Sequence, residues 1–362
     1  MKERVFNYNY CCYHYFISVE LYTLAVYFKI DPFTIDSLDN FVSGGLNFPG
    51  LFVSGGIFPD IKETAIIRPD YSFGFERNSP SEGYPMYNNK GKFTNHIDLS
   101  YAGLLGDGKV DYLCSSSTSK DIVFFIDSTN LKNAAFDLRK ETIAGVGYPD
   151  AQGKETSINW RPKKDEMSVS MTTTPIDVYN KQVSLNGNLL LASRGLGGNG
   201  DAKFDASNLE AKNFWFKQDA YGSDTADFKL KSDIESVLAI QTKNVNAKID
   251  LVNRFGNFIS NGKGSYVSFP LNQYICYIAQ FKWFIDKNEV EFGDENVDKT
   301  KVNITYMRRA VNVMFTQMQA KEGIKRFGEE SMAALMREFK QLNEGKISKS
   351  GVVYYRSKDV KY

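Results

Sequence analysis

The sequence holds two histidines, His14 and His96, and four cysteines, Cys11, Cys12, Cys114 and Cys276. No CxxC spacing joins the cysteines and no histidine cluster accompanies them, so no zinc site is expected and no metal ligand is assigned. The vicinal Cys11 and Cys12 read as two free thiols rather than a bridge. No serine stands in a GxSxG elbow, which leaves an esterase-type nucleophile without a basis. An excess of charge is missing too: 44 Lys plus Arg stand against 43 Asp plus Glu. There is then no global basic field to attract nucleic acid or anionic lipid. Nor is there an apolar run of membrane-spanning length, since Val19 to Ile30 is short and broken by Glu20. Of the three marks of a signal peptide, the N-terminus partly meets only the basic start. Residues 1–40 read as an irregular extension, an upstream over-run of the reading frame, with a degenerate export or anchor segment as the alternative.

Aromatic and turn-forming residues are plentiful. The 21 Tyr, 27 Phe and 28 Gly suit pleated strands joined by tight turns. With 42% hydrophobic residues in 362, the chain can fill the cores of two or three domains.

The chain also repeats itself. Leu99 to Tyr112, LSYAGLLGDGKVDY, is written again at Leu191 to Phe204 as LASRGLGGNGDAKF, 92 residues later. The same offset relates Gly103 to Gly195, Gly106 to Gly198, Gly108 to Gly200, Phe124 to Phe216, Phe136 to Phe228 and Leu138 to Leu230. Phe58-Pro59-Asp60 corresponds to Tyr148-Pro149-Asp150, Arg68-Pro69 to Arg161-Pro162, and Tyr87-Asn88 to Tyr179-Asn180. Pro85, Pro175 and Pro270 mark one junction three times. Ordered self-similarity of this kind predicts two units of about ninety residues and a fraction of a third. Asp107-Gly108 and Asn199-Gly200 at its centre are the dipeptides best suited to the positive φ of a hairpin turn, so these four residues are expected to be structural turns. Asn186-Gly187, Gly256-Asn257 and Asn261-Gly262 read as further turns.

Period-two alternation marks the strands. Met167, Val169 and Met171 alternate with polar residues, as do Val245, Ala247, Ile249 and Leu251, and Phe228 with Leu230. Tyr274 to Ile285 reads as one long strand leading through Asp286-Lys287-Asn288 into Val290 and Phe292. Near Lys299 the period changes: Met307, Ala310, Val311, Met314 and Met318, then Met332, Leu335, Met336, Phe339 and Leu342, predict two amphipathic helices. The expected fold is mainly β, an antiparallel β-repeat built as a sandwich or an elongated open β-groove, with a small C-terminal helical hairpin. Its segments are an irregular extension (1–40), a first β-unit with a partial preceding copy (41–147), a second with a partial third (148–298), the hairpin (299–345) and a tail (346–362).

Val53 to Phe75 (VSGGIFPDIKETAIIRPDYSFGF), the Leu99–Tyr112 segment and Gly264 to Asp286 (GSYVSFPLNQYICYIAQFKWFID) carry a resemblance. Residues of about 52–292 resemble large β-repeat proteins of bacterial cell envelopes, and more loosely the elongated β-groove group that includes lipopolysaccharide-transport and outer-membrane assembly factors. The resemblance implies an extracytoplasmic location and brings no catalytic residues. Asn312 to Gly345 is similar to the helical linker that precedes reverse transcriptase in copia-type retrotransposon polyproteins. No YxDD-type aspartate pair or integrase-type metal cluster follows it, so neither activity is implied.

Candidate chemistry is sparse. The runs Gly103 to Gly108 and Gly195 to Gly200 lack the following helix that a phosphate loop needs. His96 reads as a strand residue facing solvent or a hydrogen-bond partner. Glu289 and Glu291 share a strand face as a glycosidase pair could, yet a solvated face is the simpler reading. Trp160, Trp215 and Trp283 are expected in cores, with Trp215 the best placed to stack on a ligand because Phe214 and Phe216 point the other way. The expected function is a non-enzymatic scaffold or apolar-ligand surface of the cell envelope, with no catalytic residue and no cofactor. Its partner would be a lipid, a glycan or an envelope protein, with no nucleic acid on the β region and no transmembrane span. The alternatives are a chimeric retroelement fragment without a catalytic domain and a glycan-active β enzyme.

Overall fold

The computed structural model describes residues 26–33, 46–232, 237–262, 265–270, 274–276, 279–287 and 289–292. The expected helical hairpin and tail, most of the N-terminal extension, and the retroelement-like segment lie outside these residues, as do His14, Cys11 and Cys12. The described chain is mainly β, its large sheet is antiparallel, and no α-helix occurs among the described residues. It divides into two compact units, one of residues 1–180 with 188–196, the other of 181–187 with 197–362.

In the first unit the strands are β1 (Tyr27–Ile30), β2 (Asn47–Val53), β3 (Ile61–Ile67), β4 (Phe73–Asn78), β5 (Tyr84–Met86), β6 (Gly91–Ser100) and β7 (Gly103–Tyr112). They are followed by β8 (Ser115–Phe124), β9 (Thr129–Leu138), β10 (Glu141–Ile143), β11 (Val146–Tyr148), β12 (Ala151–Arg161), β13 (Glu166–Ser170) and β14 (Ile176–Val178). A meander runs from β6 to β9, and β12 closes on β9 while also pairing with β13 and β14. The apolar alternation seen in the sequence sets the inner face, where Phe58, Phe93 and Phe124 pack at ring separations of 5.0–5.9 Å. Tyr87 and Tyr112 flank the fully buried Trp160 at 5.3 and 5.1 Å.

The remaining strands are β15 (Val183–Ala192) and β16 (Gly195–Phe204), which divide between the two units, then β17 (Ser207–Phe216), β18 (Ala220–Lys231) and β19 (Leu238–Asp250). After them come β20 (Phe255–Ser260), β21 (Val267–Phe269), β22 (Tyr274–Cys276), β23 (Gln280–Phe284) and β24 (Glu289–Phe292). In the second unit β19 plays the part that β12 plays in the first, pairing with β18, β20 and β21. Its core is a ring cluster in which Phe228 lies 4.1 Å from Phe258 and 5.8 Å from Trp283, and Phe258 stacks on Phe281 at 4.6 Å. Each such aromatic, once fully buried, contributes about 1.5–3 kcal/mol.

The repeat is structural. Strands β6, β7 and β8 begin and end 92 residues before β15, β16 and β17. Phe75 pairs with Leu99 as Met167 pairs with Leu191, and in the partial third copy Trp283, 92 residues after Leu191, stands opposite Gly256, 89 after Met167. Tyr84 opposite Phe93 recurs as Val267 opposite Cys276. The left-handed triplet Tyr87-Asn88-Asn89 recurs as Tyr179-Asn180-Lys181, all six residues with φ between 47° and 67°.

Three expectations need correction. Asp107 and Gly108 lie inside β7, opposite His96 and Asn95, and Asn199 and Gly200 lie inside β16. The chain reverses earlier, at Tyr101-Ala102 and Ser193-Arg194, with Gly103 and Gly195 taking the positive φ of 111° and 136°. The inner glycines serve close approach instead. A Cβ on Gly108 would stand 2.1 Å from the Thr94 carbonyl oxygen, and one on Gly106 would meet the Phe124 ring at 2.7 Å. Asn186-Gly187 and Gly256-Asn257 are likewise within strands β15 and β20; only Asn261-Gly262 marks a bend. Finally, among the described residues Tyr274 to Ile285 holds two strands, β22 pairing with β21 and β23 with β20, with Ala279 in a bend before β23 and Ile285 in a 3-10 turn after it. Strand β6 makes the same change of partner, from β5 to β4, as one continuous strand.

Candidate functional site

A polar cluster of the first unit gathers where three reversals meet. Pro162–Lys164 forms a single 3-10 turn between β12 and β13, and Asp165 ends it at φ 55°, its amide donating to the Pro162 carbonyl at 3.2 Å. This aims the Asp165 carboxylate at the end of β7, where the Tyr112 hydroxyl donates to Oδ1 at 2.6 Å. Oδ2 accepts the Ser193 amide at 3.1 Å and the Ser193 hydroxyl. Glu166 joins Arg161 and Arg194, each at 3.1 Å. The Tyr148 hydroxyl lies 2.8 Å from the Ala192 carbonyl oxygen and 2.9 Å from that of Ser193.

Electrostatics follow from these bonds. Burial and then the bond to Asp165 push the Tyr112 phenol well above its ordinary range, and burial raises Tyr148 in the same direction. For Asp165, burial acts upward, but the hydrogen bonds from Ser193 and Tyr112 outweigh it and hold the carboxyl below its usual value. A carboxylate so stabilised is a weak base, and Ser193 has no imidazole beside it; His96 sits instead with Asn78, 3.2 Å from its Oδ1. What the cluster does well is pin the β7–β8, β12–β13 and β15–β16 reversals together.

The second unit braces the matching positions with opposite charges and a different pairing: Arg194 joins Glu166, whereas Asp286 joins Arg254. Phe204 stands 92 residues after Tyr112, Asp286 stands 92 after Arg194, and Arg254 occupies the left-handed reversal position of Asp165, at φ 55°. The Arg254 guanidinium lies over the Phe204 ring at 5.3 Å and binds Asp286 at 2.9 Å. In the first copy Arg68 fills the equivalent role, paired with Asp98 and Glu76 and donating to the Leu99 carbonyl at 3.2 Å. Three sets of side chains thus perform one mechanical task.

The residues singled out in the sequence fall elsewhere. Asp107, Gly108, Asn199 and Gly200 are strand residues, with Gly108 and Gly200 pressed against neighbouring backbone. Trp160 and Trp283 are buried; Trp215 faces the other way from Phe214 and Phe216, half-buried, with Lys217 over its ring at 5.4 Å. Glu289 and Glu291 lie on β24, Glu291 opposite Lys282. Cys114 is a buried free thiol whose pKa burial raises. Among the described residues no group of three or more His, Cys, Asp or Glu side chains is placed to hold a metal ion, and no helix is long and apolar enough to cross a membrane. Sequence reasoning missed the brace because its charges reverse between copies; the aligned Tyr112 and Phe204 were its only trace. No family model, no curated protein and no solved structure matches this chain.

Proposed function

We propose that this chain is a non-enzymatic β-repeat scaffold of a bacterial cell envelope, offering its loop ends and strand edges to a partner. The change of brace between copies carries the reading. Tyr112, Asp165 and Arg194 give way to Phe204, Arg254 and Asp286 at matching positions. A reactive group does not survive exchange for the opposite charge, whereas a contact that holds two reversals together does. The largest aromatics support a partner surface over an apolar-ligand trough, since Trp160, Trp283, Phe93 and Phe258 are fully buried in packing. The envelope location rests on the resemblance carried by Val53–Phe75 and Gly264–Asp286.

The test is a turnover screen of the purified chain against glycan, ester and peptide reporters, beside Tyr112→Phe and Asp165→Asn. The expected result is no turnover that either substitution removes. A hydrolytic activity abolished by one of them would overturn the reading. Transplanting the second brace into the first, as Tyr112→Phe with Asp165→Arg and Arg194→Asp, should leave a cooperative thermal transition.

A further inference from the structure

The reversals of the first repeat expose apolar side chains that the second repeat does without. Tyr71 is 80% exposed, Tyr101 65%, Phe125 46% and Ile126 39%. They sit on neighbouring reversals: Arg68 of the β3–β4 turn reaches the Leu99 carbonyl beside Tyr101, and Leu105 of β7 pairs with Val123 just before Phe125. In the second repeat the matching residues are Lys164, which follows Arg161 as Tyr71 follows Arg68, then Ser193, Lys217 and Gln218. The same reversals therefore form with polar residues, and the fold does not ask for apolar ones there. Exposed apolar side chains grouped this way mark a contact surface.

Charge says what the surface meets. Its rim carries the exposed carboxylates Asp70, Glu76 and Asp127, while Arg68 is already held by Asp98 and Glu76. The matching reversals of the second repeat present Lys163 and Lys164, both exposed, next to Arg194. We propose that copies of this chain associate through these loops, the aromatic, acid-rimmed reversals of one molecule seating against Lys163, Lys164 and Arg194 of another. The aliphatic stems of the basic residues can lie along the tyrosine faces while their charges reach the carboxylates. Because the two surfaces differ, the contact is heterologous and builds a ring or a chain of molecules. It stands apart from the scaffold reading, which fails on turnover and not on oligomeric state.

Sedimentation of the full chain over a micromolar concentration series tests it. The wild type should associate at low salt and come apart as salt screens the pairing. Two variants each remove one half: Tyr71→Asn with Tyr101→Ser, Phe125→Lys and Ile126→Gln, and separately Lys163→Glu with Lys164→Glu. Each should weaken association by roughly tenfold or more, the scale of a lost interface anchor. Mixing the two should restore the contact as a heterodimer that grows no further, because each keeps only the surface the other has lost. Circular dichroism matching the wild type shows that the variants fold, and the basic-loop variant stands alone if the aromatic-loop variant does not. A wild type that stays monomeric, variants that associate like it, or a mixture that stays apart would each overturn the proposal. So would monomers that bind zwitterionic vesicles through the aromatic loops.

Discussion

Gly106 and Gly108 leave the inner side of β7 bare, and Phe93 and Phe124, their rings 5.1 Å apart, close over it. Gly108→Ala drives a Cβ into a backbone oxygen, which cannot step aside as a side chain would. It should cost about 1–3 kcal/mol in denaturant unfolding. Gly103→Ala meets open space and has only its φ of 111° to overcome, so it should cost about 1 kcal/mol. Two titrations belong at this scale as well. The folded pKa of Asp165 lies below its ordinary 3.8. Its contribution to stability is complete above that value and is lost as pH falls through the depressed one. Asp165→Asn should therefore flatten the acid limb of a stability profile measured by denaturation midpoints. For the buried phenols Tyr112 and Tyr148 the sign is opposite. Their folded values lie above 10.0, so stability is complete below 10.0 and is lost as pH rises past it. Phenolate absorbance should appear together with the loss of β circular dichroism on the alkaline side.

At the scale of the element, the brace in the second unit joins the β19–β20 reversal to the end of β23 through Arg254 and Asp286. Both groups are partly exposed, so the ion pair is modest, and the Phe204 ring beneath Arg254 adds a comparable amount. Arg254→Ala should lower stability by about 1 kcal/mol. Arg254→Asp and Asp286→Arg should each do more harm than the two together, a coupling that a double-mutant cycle in denaturant reads directly. The strands themselves were legible, because alternation such as Val245, Ala247 and Ile249 has one cause, a buried face. The 92-residue period was legible for the same reason. Turns were not, since Asn-Gly and Asp-Gly favour a reversal only when nothing else claims the glycine. In β7, β15 and β16 crowding from the neighbouring strand claims it. The braces were hidden in another way: Asp165 is held by Tyr112 and Ser193 while Arg194 pairs with Glu166, whereas Asp286 pairs with Arg254, so neither sign nor partner repeats and Arg194 and Asp286 look unrelated in the sequence.

For the whole molecule, stability in a repeat architecture is a sum over copies and their nearest neighbours. Trp160 anchors the core of the first unit and Trp283 that of the second, and both are fully buried. Trp160→Ala should cost about 3–5 kcal/mol locally. Hydrogen exchange should then quicken across β6 to β12, while amides of β19, β20 and β23 keep most of their protection. A uniform loss over both units would instead mean that the chain melts as one body. The coincidence of strand boundaries in successive copies carries a consequence for descent. With β6, β7 and β8 separated from β15, β16 and β17 by a fixed 92 positions, unequal crossing-over within the gene could insert or delete one whole period without shifting any ladder out of register. Copy number is thus a quantity that inheritance can change in a single step, and lineages of this gene would be expected to differ by whole periods more readily than by a few codons.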